Sequence, residues 1–529
     1  MSEANGGPAK AGALAETLSP GTRAIVTLAV MAATLMEVLD ISVVNVALPH
    51  MEGSLGATLD EIGWVATGYI ISNVIVLPLT GWLSDWFGRK RYLTGSIVLF
   101  TLSSLGCGLS RSLLMLVGFR VLQGAGGAAF LSTAQATLIE IYPEKQQGFA
   151  QAMFGIGVIM APTLGPTLGG FLTDRYSWPF IFFVNLPIGV VAALLSGLYV
   201  PDSPASAGRR RMDLIGIGLL AVGLGALQTL LEKGQEKDWF SSPFIREMTV
   251  LAAVGLVLFV YWELRPHNRH PAVDLRLLRQ RNLTTGTIYA FGLGFVLYGT
   301  VFALPQYWQI LERFTAEQTG IILIPGGLAS AAMMPLVGQL SNRIDRRFLV
   351  GAGMLLTIYS MWAFSGRFTL NTPEGAFFWP LVWRGAGIGL QFVPLSLLAL
   401  ATLPTRDLAQ GSGLYNLFRQ LGGSFGIAIL TTILDRSRQT HHARLGAHLV
   451  ATSQSTRTAL VGLTHHFAQA HAVHPRETAL RALAGMLEQQ AMLLSYVDLF
   501  RIIAVLGIAA LPLLFLFKRG RGGNLPAPH

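Results

Sequence analysis

The chain is 529 residues long, 52% of them apolar and only 12% charged, where soluble domains carry roughly a quarter of charged residues. That composition excludes an ordinary soluble domain, and the single cysteine, Cys107, excludes an intrachain disulfide or a thiolate metal cluster. The net charge of +10 is dispersed over short loops without interleaved aromatic platforms, so it does not describe a nucleic-acid surface.

Residues 1–20 are polar, and the apolar run that follows is too long for a signal-peptide core, so it is a first crossing. Runs of about twenty apolar residues recur from there, the length a helix needs to span a bilayer core near 30 Å. In lipid each such run must satisfy its own backbone, which only a helix does. The pattern predicts an all-α membrane protein with fourteen crossings, at about 22–48, 59–83, 91–109, 112–137, 147–172, 179–200, 212–232, 246–264, 283–310, 317–341, 348–366, 376–400, 409–433 and 497–518. The eighth and eleventh are short, and the first and ninth are long enough to imply tilt. Counting from a cytoplasmic N-terminus, cations gather on one side: Arg89, Lys90 and Arg91; Arg209, Arg210 and Arg211; Arg265, Arg269, Arg276, Arg279 and Arg281; Arg343, Arg346 and Arg347; Lys518, Arg519 and Arg521. The opposite short loops mostly carry one or two, such as Arg111, Arg175 and Arg313. Positive residues mark cytoplasmic loops, so both termini are expected inside.

The first crossing carries Glu37 and Asp40, three apart and therefore on one helical face. Ionisable groups at membrane depth face a cavity and mark a proton or substrate path. Asp40 is the expected proton carrier, with a structural hydrogen bonder near Asn45 as the alternative. Glu37 reads as a second proton site, a cation selector or a cavity-lining residue. Between crossings two and three, the glycines around Gly81, Asp85, Gly88 and Arg89 form no Walker pattern, so ATP coupling is not expected. A cytoplasmic gate suits them better, Asp85 meeting the positive end of a helix in one state and Arg89 meeting acids on closure. Simple positive-inside anchoring is the alternative.

Arg120, in crossing four, cannot shed its proton and requires an anionic or carbonyl partner. In crossing five, Gly157, Ala161, Gly165 and Gly169 recur every fourth residue and make a smooth face for a partner helix. Pro162 and Pro166 remove two backbone donors there and predict a kink. Arg384 and Arg419, in crossings twelve and thirteen, are structural or substrate-contacting candidates. Residues 435–495 are too polar to cross. They hold His441, His442, His448, His465, His466, His471 and His474, whose scatter does not suggest a metal site. Leu480, Leu483, Leu487 and Leu494 recur at helical spacing and predict an amphipathic helix that docks on the transporter itself or on a periplasmic adaptor.

A repeat offset by about half the chain relates the two ends. Gly81-Trp82-Leu83-Ser84-Asp85 followed by Arg89-Lys90 recurs as Gly338-Gln339-Leu340-Ser341-Asn342 followed by Arg346-Arg347. Ala47-Leu48-Pro49 recurs as Ala303-Leu304-Pro305, and Arg120 has a looser counterpart in Arg384. The positions matching Asp40 and Glu37 are Val296 and Leu293, so coupling through these acids is confined to the N-terminal half. The expected domains are a cytoplasmic tail 1–20, a six-helix half 21–200, a linker and two inserted helices 201–264, a cytoplasmic linker 265–282, a six-helix half 283–518 containing the segment 435–495, and a tail 519–529. Two parallel halves around a midplane cavity are a known transporter plan.

Gly81-Trp82-Leu83-Ser84-Asp85-Trp86-Phe87-Gly88-Arg89-Lys90-Arg91 resembles the loop between helices two and three of the major facilitator superfamily. Leu39-Asp40-Ile41-Ser42-Val43-Val44-Asn45-Val46-Ala47-Leu48-Pro49 and Arg120-Val121-Leu122-Gln123-Gly124-Ala125-Gly126 are similar to the helix-one and helix-four signatures of its fourteen-helix drug:proton antiporters. Gly165-Pro166 with Gly169-Gly170 resembles the antiporter motif of helix five, and Asn185-Leu186-Pro187-Ile188-Gly189 and Asp238-Trp239-Phe240-Ser241-Ser242 extend the likeness over nearly the whole chain. The resemblance implies a major facilitator fold, alternating access, and a proton-coupled antiporter that exports lipophilic or amphipathic drugs across a bacterial inner membrane. It implies no cofactor beyond the proton motive force. Arg120 would pair with Asp40 or Glu37 in a state-dependent way, a permanent salt bridge being the alternative, and Asn342 and Arg346 would join the gate. Asn45, Gln123 and Asn185 would be substrate-contacting or structural. Pumps of this kind work with a periplasmic adaptor of the EmrA kind and an outer-membrane channel of the TolC kind. A narrower exporter of a metabolite or siderophore shares every motif. A membrane-embedded enzyme would need a nucleophile, base or metal cluster that the sequence does not display.

Overall fold

The computed structural model describes residues 18–202, 213–266, 268, 271–369, 372–450, 453–471 and 473–517. Most of the predicted N-terminal tail, Arg209 to Arg211, Arg269, and Lys518, Arg519 and Arg521 lie outside the described residues. Long helices account for every predicted crossing: α1 (Pro20–Leu55), α2 (Asp60–Phe87), α3 (Arg89–Gly108), α4 (Leu113–Ile141), α5 (Gln147–Arg175), α6 (Phe180–Tyr199), α7 (Leu214–Lys233), α8 (Pro243–Leu264), α9 (Arg281–Gln306), α10 (Ala316–Leu340), α11 (Arg346–Ser365), α12 (Phe378–Leu400), α13 (Leu408–His448) and α14 (Pro475–Ala510). Twelve are long and apolar enough to cross a bilayer, or thirteen when α5, bent by 47° at Pro162, counts as one span. The remaining helix, α3, opens on Arg89, Lys90 and Arg91 and is rich in Ser and Thr, which lowers its hydropathy. No strand occurs among the described residues.

Local chemistry sets the helix ends. Ser19 caps α1 by accepting from the Thr22 N–H, with Pro20 pre-set at the first helical position. Thr315 and Gln318 form a reciprocal capping box at the start of α10. Gly88 joins α2 to α3 at φ +82° and ψ 141°, a conformation that L side chains rarely adopt.

Within each half, glycines let helix backbones touch. A Cβ on Gly124 of α4 would overlap the Tyr69 carbonyl of α2, and one on Gly422 of α13 the Phe291 carbonyl of α9. Such contacts replace the hydrophobic driving force that lipid does not supply between helices. Large apolar side chains point outward instead, Leu198, Val257 and Leu355 being more than half exposed. Helices α7 and α8 pair through Gly223 and Gly255 and stand between the halves, Gly225 of α7 against Ile75 of α2 and Gln228 of α7 bonded to Ser424 of α13 at 2.9 Å.

The polar segment 435–495 is entered from both sides by the flanking long helices. Leu480, Leu483, Leu487 and Leu494 lie on a helix as their spacing predicts, but that helix is the start of α14, which begins at Pro475; α13 continues unbroken to His448, with a helix Gln454–Gln469 between them. Hydropathy marks where the bilayer ends, whereas the helices run on, held by Arg438 to Glu488 at 2.8 Å and His441 to Asp498 at 2.7 Å. Leu487 lies over Gly446 of α13, so this part of the leucine stripe packs on the protein itself, while Leu480 stays exposed.

Candidate functional site

Asp40 of α1 is 2% exposed and lies at the centre of a closed polar cluster. Its Oδ2 pairs with Nη1 of Arg120 from α4. Its Oδ1 accepts from Gln123 Nε2 at 2.9 Å and from Asn185 Nδ2 at 3.0 Å. Ser104 of α3 accepts from the same two amides, at 3.2 and 3.1 Å, and donates to the Phe182 carbonyl at 2.9 Å. Arg120 also donates to the Val65 carbonyl at 3.0 Å and to Gln123 Oε1 at 2.8 Å, with its guanidinium 4.2 Å from the Tyr69 ring centroid. Every contact to Asp40 is a donated proton, the pattern of an ionised carboxylate. A proton on Oδ2 would displace Arg120 and leave it with a carbonyl, an amide oxygen and a ring.

Glu37 is also buried, one turn away, and accepts from Asn73 of α2 at 3.1 Å, while its Oε2 has no hydrogen-bond partner. Asn45 stands apart and is exposed. Five helical residues rotate it about 140° away from Asp40, so the pairing considered for the two does not form.

The small face of α5 seats on α1, the helix of both acids. A Cβ on Gly157 would lie 2.8 Å from Met31, one on Gly165 would overlap Ser42, and one on Gly169 would lie 2.9 Å from the Val43 carbonyl. Ser42 donates to the Pro162 carbonyl at 3.2 Å, using an acceptor near the kink. Gly170 would meet nothing within 4 Å and is outside this contact. Pro166 lies on the same helix beyond the bend.

At the motif end the two halves touch. A Cβ on Gly81 would fall 2.7 Å from the Gln410 Cα, and Gly148 and Gly338 abut backbone to backbone. Asn342 Nδ2 donates to the Lys145 carbonyl at 2.7 Å. Arg89 makes a two-pronged pair with Glu140 at the end of α4, Nη2 to Oε1 being 2.8 Å, with both side chains buried. Asp85 is half-buried on the last turn of α2. Arg346, the counterpart of Arg89, donates to the Ser341 carbonyl at 3.4 Å, with Glu144 and Asp345 acting on it electrostatically. Deeper in the seam Ser412 donates to the Ser132 carbonyl at 2.8 Å, Asn416 to Gln135 at 3.0 Å, and Gln135 and Ser396 to Gln151 at 3.3 and 3.4 Å.

Arg384 of α12 donates to Thr300 of α9 at 2.9 Å, and its Nη2 has no partner. Arg419 of α13 is 1% exposed, lies 5.5 Å from the Phe392 ring centroid, and leaves Nε and Nη1 unpartnered. Among the described residues, no three His, Cys, Asp or Glu side chains converge as a metal site.

Sequence reasoning missed Glu140, Ser104, Asn73, Gly148 and the seam amides. The amides carried a signal, since polar residues inside apolar runs mark functional positions. Glu140 carried none, because an acid at a helix end reads as a loop residue.

The major facilitator superfamily model matches residues 30–427. The chain is 37% identical to the multidrug export protein EmrB of Escherichia coli over 80% of its length and 82% of that protein's. It is 32% identical to the fatty acid resistance protein FarB of Neisseria gonorrhoeae over 94% of its length and 97% of that protein's. Its backbone superposes on the proton:xylose symporter XylE with a TM-score of 0.60 at 14% identity, covering 95% of this chain and 100% of that one, which supports the fold alone. With two six-helix halves, an inserted pair and the motif loops in place, this multi-pass integral membrane protein belongs to the major facilitator superfamily.

Proposed function

We propose that this chain is a proton-coupled antiporter that exports lipophilic and amphipathic drugs across a bacterial inner membrane, with both termini in the cytoplasm. The observation that carries the reading is Asp40, buried and held only by donors, one of them a cation that cannot deprotonate. Proton uptake from the periplasm neutralises Asp40, releases Arg120 from α1 and favours one state; cargo favours the other. Linkage requires this differential binding. The packing of α5 on α1 gives that release a mechanical route, because the kinked helix carrying Gly148 at the seam rests on the helix that carries Asp40. Similarity to multidrug export proteins supports the cargo class. We also assign the contacts of Gly81, Gly148 and Gly338 to a closed cytoplasmic gate.

The exporter works with a periplasmic adaptor of the EmrA kind and an outer-membrane channel of the TolC kind. Val461 and Leu480, both exposed on the hairpin beyond α13, supply an apolar surface for the adaptor.

Asp40→Asn keeps the size and hydrogen bonding while removing the titratable charge. In proteoliposomes under an imposed proton gradient, this variant inserts normally and loses drug-coupled proton flux by tenfold or more. Arg120→Lys fails as well, because a point charge does not replace the planar fork. Wild-type coupling by either variant would sink the proton assignment.

A further inference from the structure

The inserted pair carries a groove that the proposed transport cycle leaves unused. Helices α7 and α8 touch where a Cβ on Gly223 would lie 2.8 Å from the Leu256 backbone nitrogen. They are tied again at their other ends by Trp262 Nε1, which donates to Asp213 at 2.9 Å. Between the two contacts they stand apart, leaving a groove of about 420 Å³. Gly218 lines its floor, and a Cβ there would meet nothing within 4 Å. Leu214, Ile215 and Val222 form one lip and Leu251, Val254 and Leu258 the other, each more than two-fifths exposed. The volume is that of a small-ligand site, about 300–1,000 Å³. Eight residues from Leu214 to Val222 rise about 12 Å, close to the roughly 15 Å of hydrocarbon in one leaflet. The groove therefore admits one acyl chain lying along the helices, and it opens at the end where α7 begins.

That mouth is cationic. Leu251, Val254, Leu258, Tyr261 and Arg265 follow one another in steps of three or four residues, so Arg265 stands on the groove's own face. Its guanidinium lies 4.6 Å from the Tyr261 ring centroid and donates to the Tyr261 hydroxyl at 3.0 Å. Arg276 joins it by donating to the Arg265 carbonyl at 3.1 Å. Neither arginine makes an ion pair among the described residues. The acids nearby are engaged within the turn: Asp213 accepts from the Gly216 N–H and from Asn268, Glu263 from the Val273 N–H, and Asp274 from the Arg276 N–H. An apolar slot that ends on two guanidiniums matches a lipid with an anionic phosphate. Arginine binds phosphate through two parallel N–H groups, and basic pockets between helices hold anionic head groups.

We propose that this groove binds one anionic phospholipid of the cytoplasmic leaflet, its acyl chain along Gly218 and its phosphate at Arg265 and Arg276. The leaflet follows from the topology proposed above, whereas the binding does not depend on transport. The lipid fills the gap between α7 and α8 and fastens the pair to the linker that carries Arg276 and leads into α9.

The full chain in phosphatidylcholine nanodiscs receives a trace of phosphatidylglycerol carrying a photoreactive diazirine on one acyl chain, and the adducts are mapped by peptide mass spectrometry. Adducts on the two lips are expected to exceed those on Leu194 and Leu198, exposed on α6, at least fivefold. A diazirine near the chain end marks Val222 and Leu251, and one near the ester marks Ile215 and Leu258. Phosphatidylcholine with the same label reacts at the groove at least threefold less. Gly218→Leu fills the floor and lowers groove adducts fivefold or more with α6 unchanged. Arg265→Gln, at an exposed position, removes the preference for phosphatidylglycerol. Groove labelling equal to that of α6, no head-group preference, or unchanged labelling in both variants overturns the proposal. A reversed depth order does so as well, because the lipid would then enter from the opposite leaflet. Cross-linking of two chains through the lips without lipid adducts would give this face to a second copy, and the lipid site would fall. The outcome of the Asp40→Asn test has no bearing on these yields, so the two readings fail separately.

Discussion

The two six-helix halves repeat one helical plan and treat buried charge in opposite ways. In the N-terminal half Arg120 faces Asp40 and Arg89 faces Glu140, each cation closed by an acid from a neighbouring helix. In the C-terminal half Arg384 donates to a hydroxyl and Arg346 to a carbonyl, and neither makes an ion pair among the described residues, Glu144 and Asp345 acting on Arg346 only at a distance. Backbone contacts at the seam are nevertheless symmetric, Gly81 of α2 meeting α13 and Gly338 of α10 meeting α5. A proton exchanged on an acid can therefore act on one half, while the matching helices of the other supply the surface against which it moves. The halves share shape and differ in how they pair charge.

The largest expected effect tests the compensated side. Glu140→Ala strands a buried Arg89, and breaking a buried pair by removing one partner costs about 3–5 kcal/mol. A fall of many degrees in the thermal midpoint of the purified protein is the expected outcome. Arg346→Ala removes a single long hydrogen bond to a half-buried guanidinium and should cost under about 1 kcal/mol. Similar losses in the two variants would mean that the halves handle these motif arginines alike.

A smaller effect tests the symmetric side. Gly81→Val and Gly338→Val each force a side chain into backbone of the opposite half, and overpacking of this kind costs about 1–3 kcal/mol. On the proposed reading of these contacts as a closed gate, the strain falls on the seam and the open state gains. In a Cys107→Ala background, a cysteine at Ser396 should react faster with a permeant maleimide in both variants, and by comparable factors. Acceleration in only one of them would show that the glycine contacts are not equivalent.

The sequence made the fold and the centre of the site legible for a physical reason: a charge inside an apolar run is costly enough that it announces itself. Asp40 and Arg120 were conspicuous in this way, Gln123 and Asn185 entered only through the family resemblance, and the structure brings all four together. Features with ordinary local chemistry were silent. Gly148 reads as any glycine near a helix start, and only the approach of Gly338 shows why it is small. Ser104 is one of several serines in α3, and its position against Asn185 and Gln123 depends on how α3, α4 and α6 pack. The length of α13 was hidden because periodicity in a polar stretch carries no information about the bilayer.

The inserted pair offers the finest test, because it touches both halves. At the end of α7, Lys233 is buried over Gly63 of α2; its Nζ lies 3.2 Å from the Asp60 carbonyl, 3.6 Å from the Asp60 carboxylate and 2.6 Å from Glu236. Lys237 meets the same Asp60 at 2.9 Å from a side chain 35% exposed. On the other side Trp239 donates to Thr432 of α13 at 3.0 Å, and Thr432 donates to Gln235 at 2.9 Å. The turn after α7 thus ties α2 to α13. Lys233→Met keeps the aliphatic bulk and removes the buried amine, and should cost about 1–2 kcal/mol. Lys237→Ala breaks a solvent-screened pair, and its effect should stay within about 0.5 kcal/mol. Because the tie spans the halves, Lys233→Met should also speed labelling of a cysteine at Ser396, which a purely local loss would not do. Destabilisation with unchanged labelling would place the turn with α2 alone and remove it from the contacts that hold the halves together.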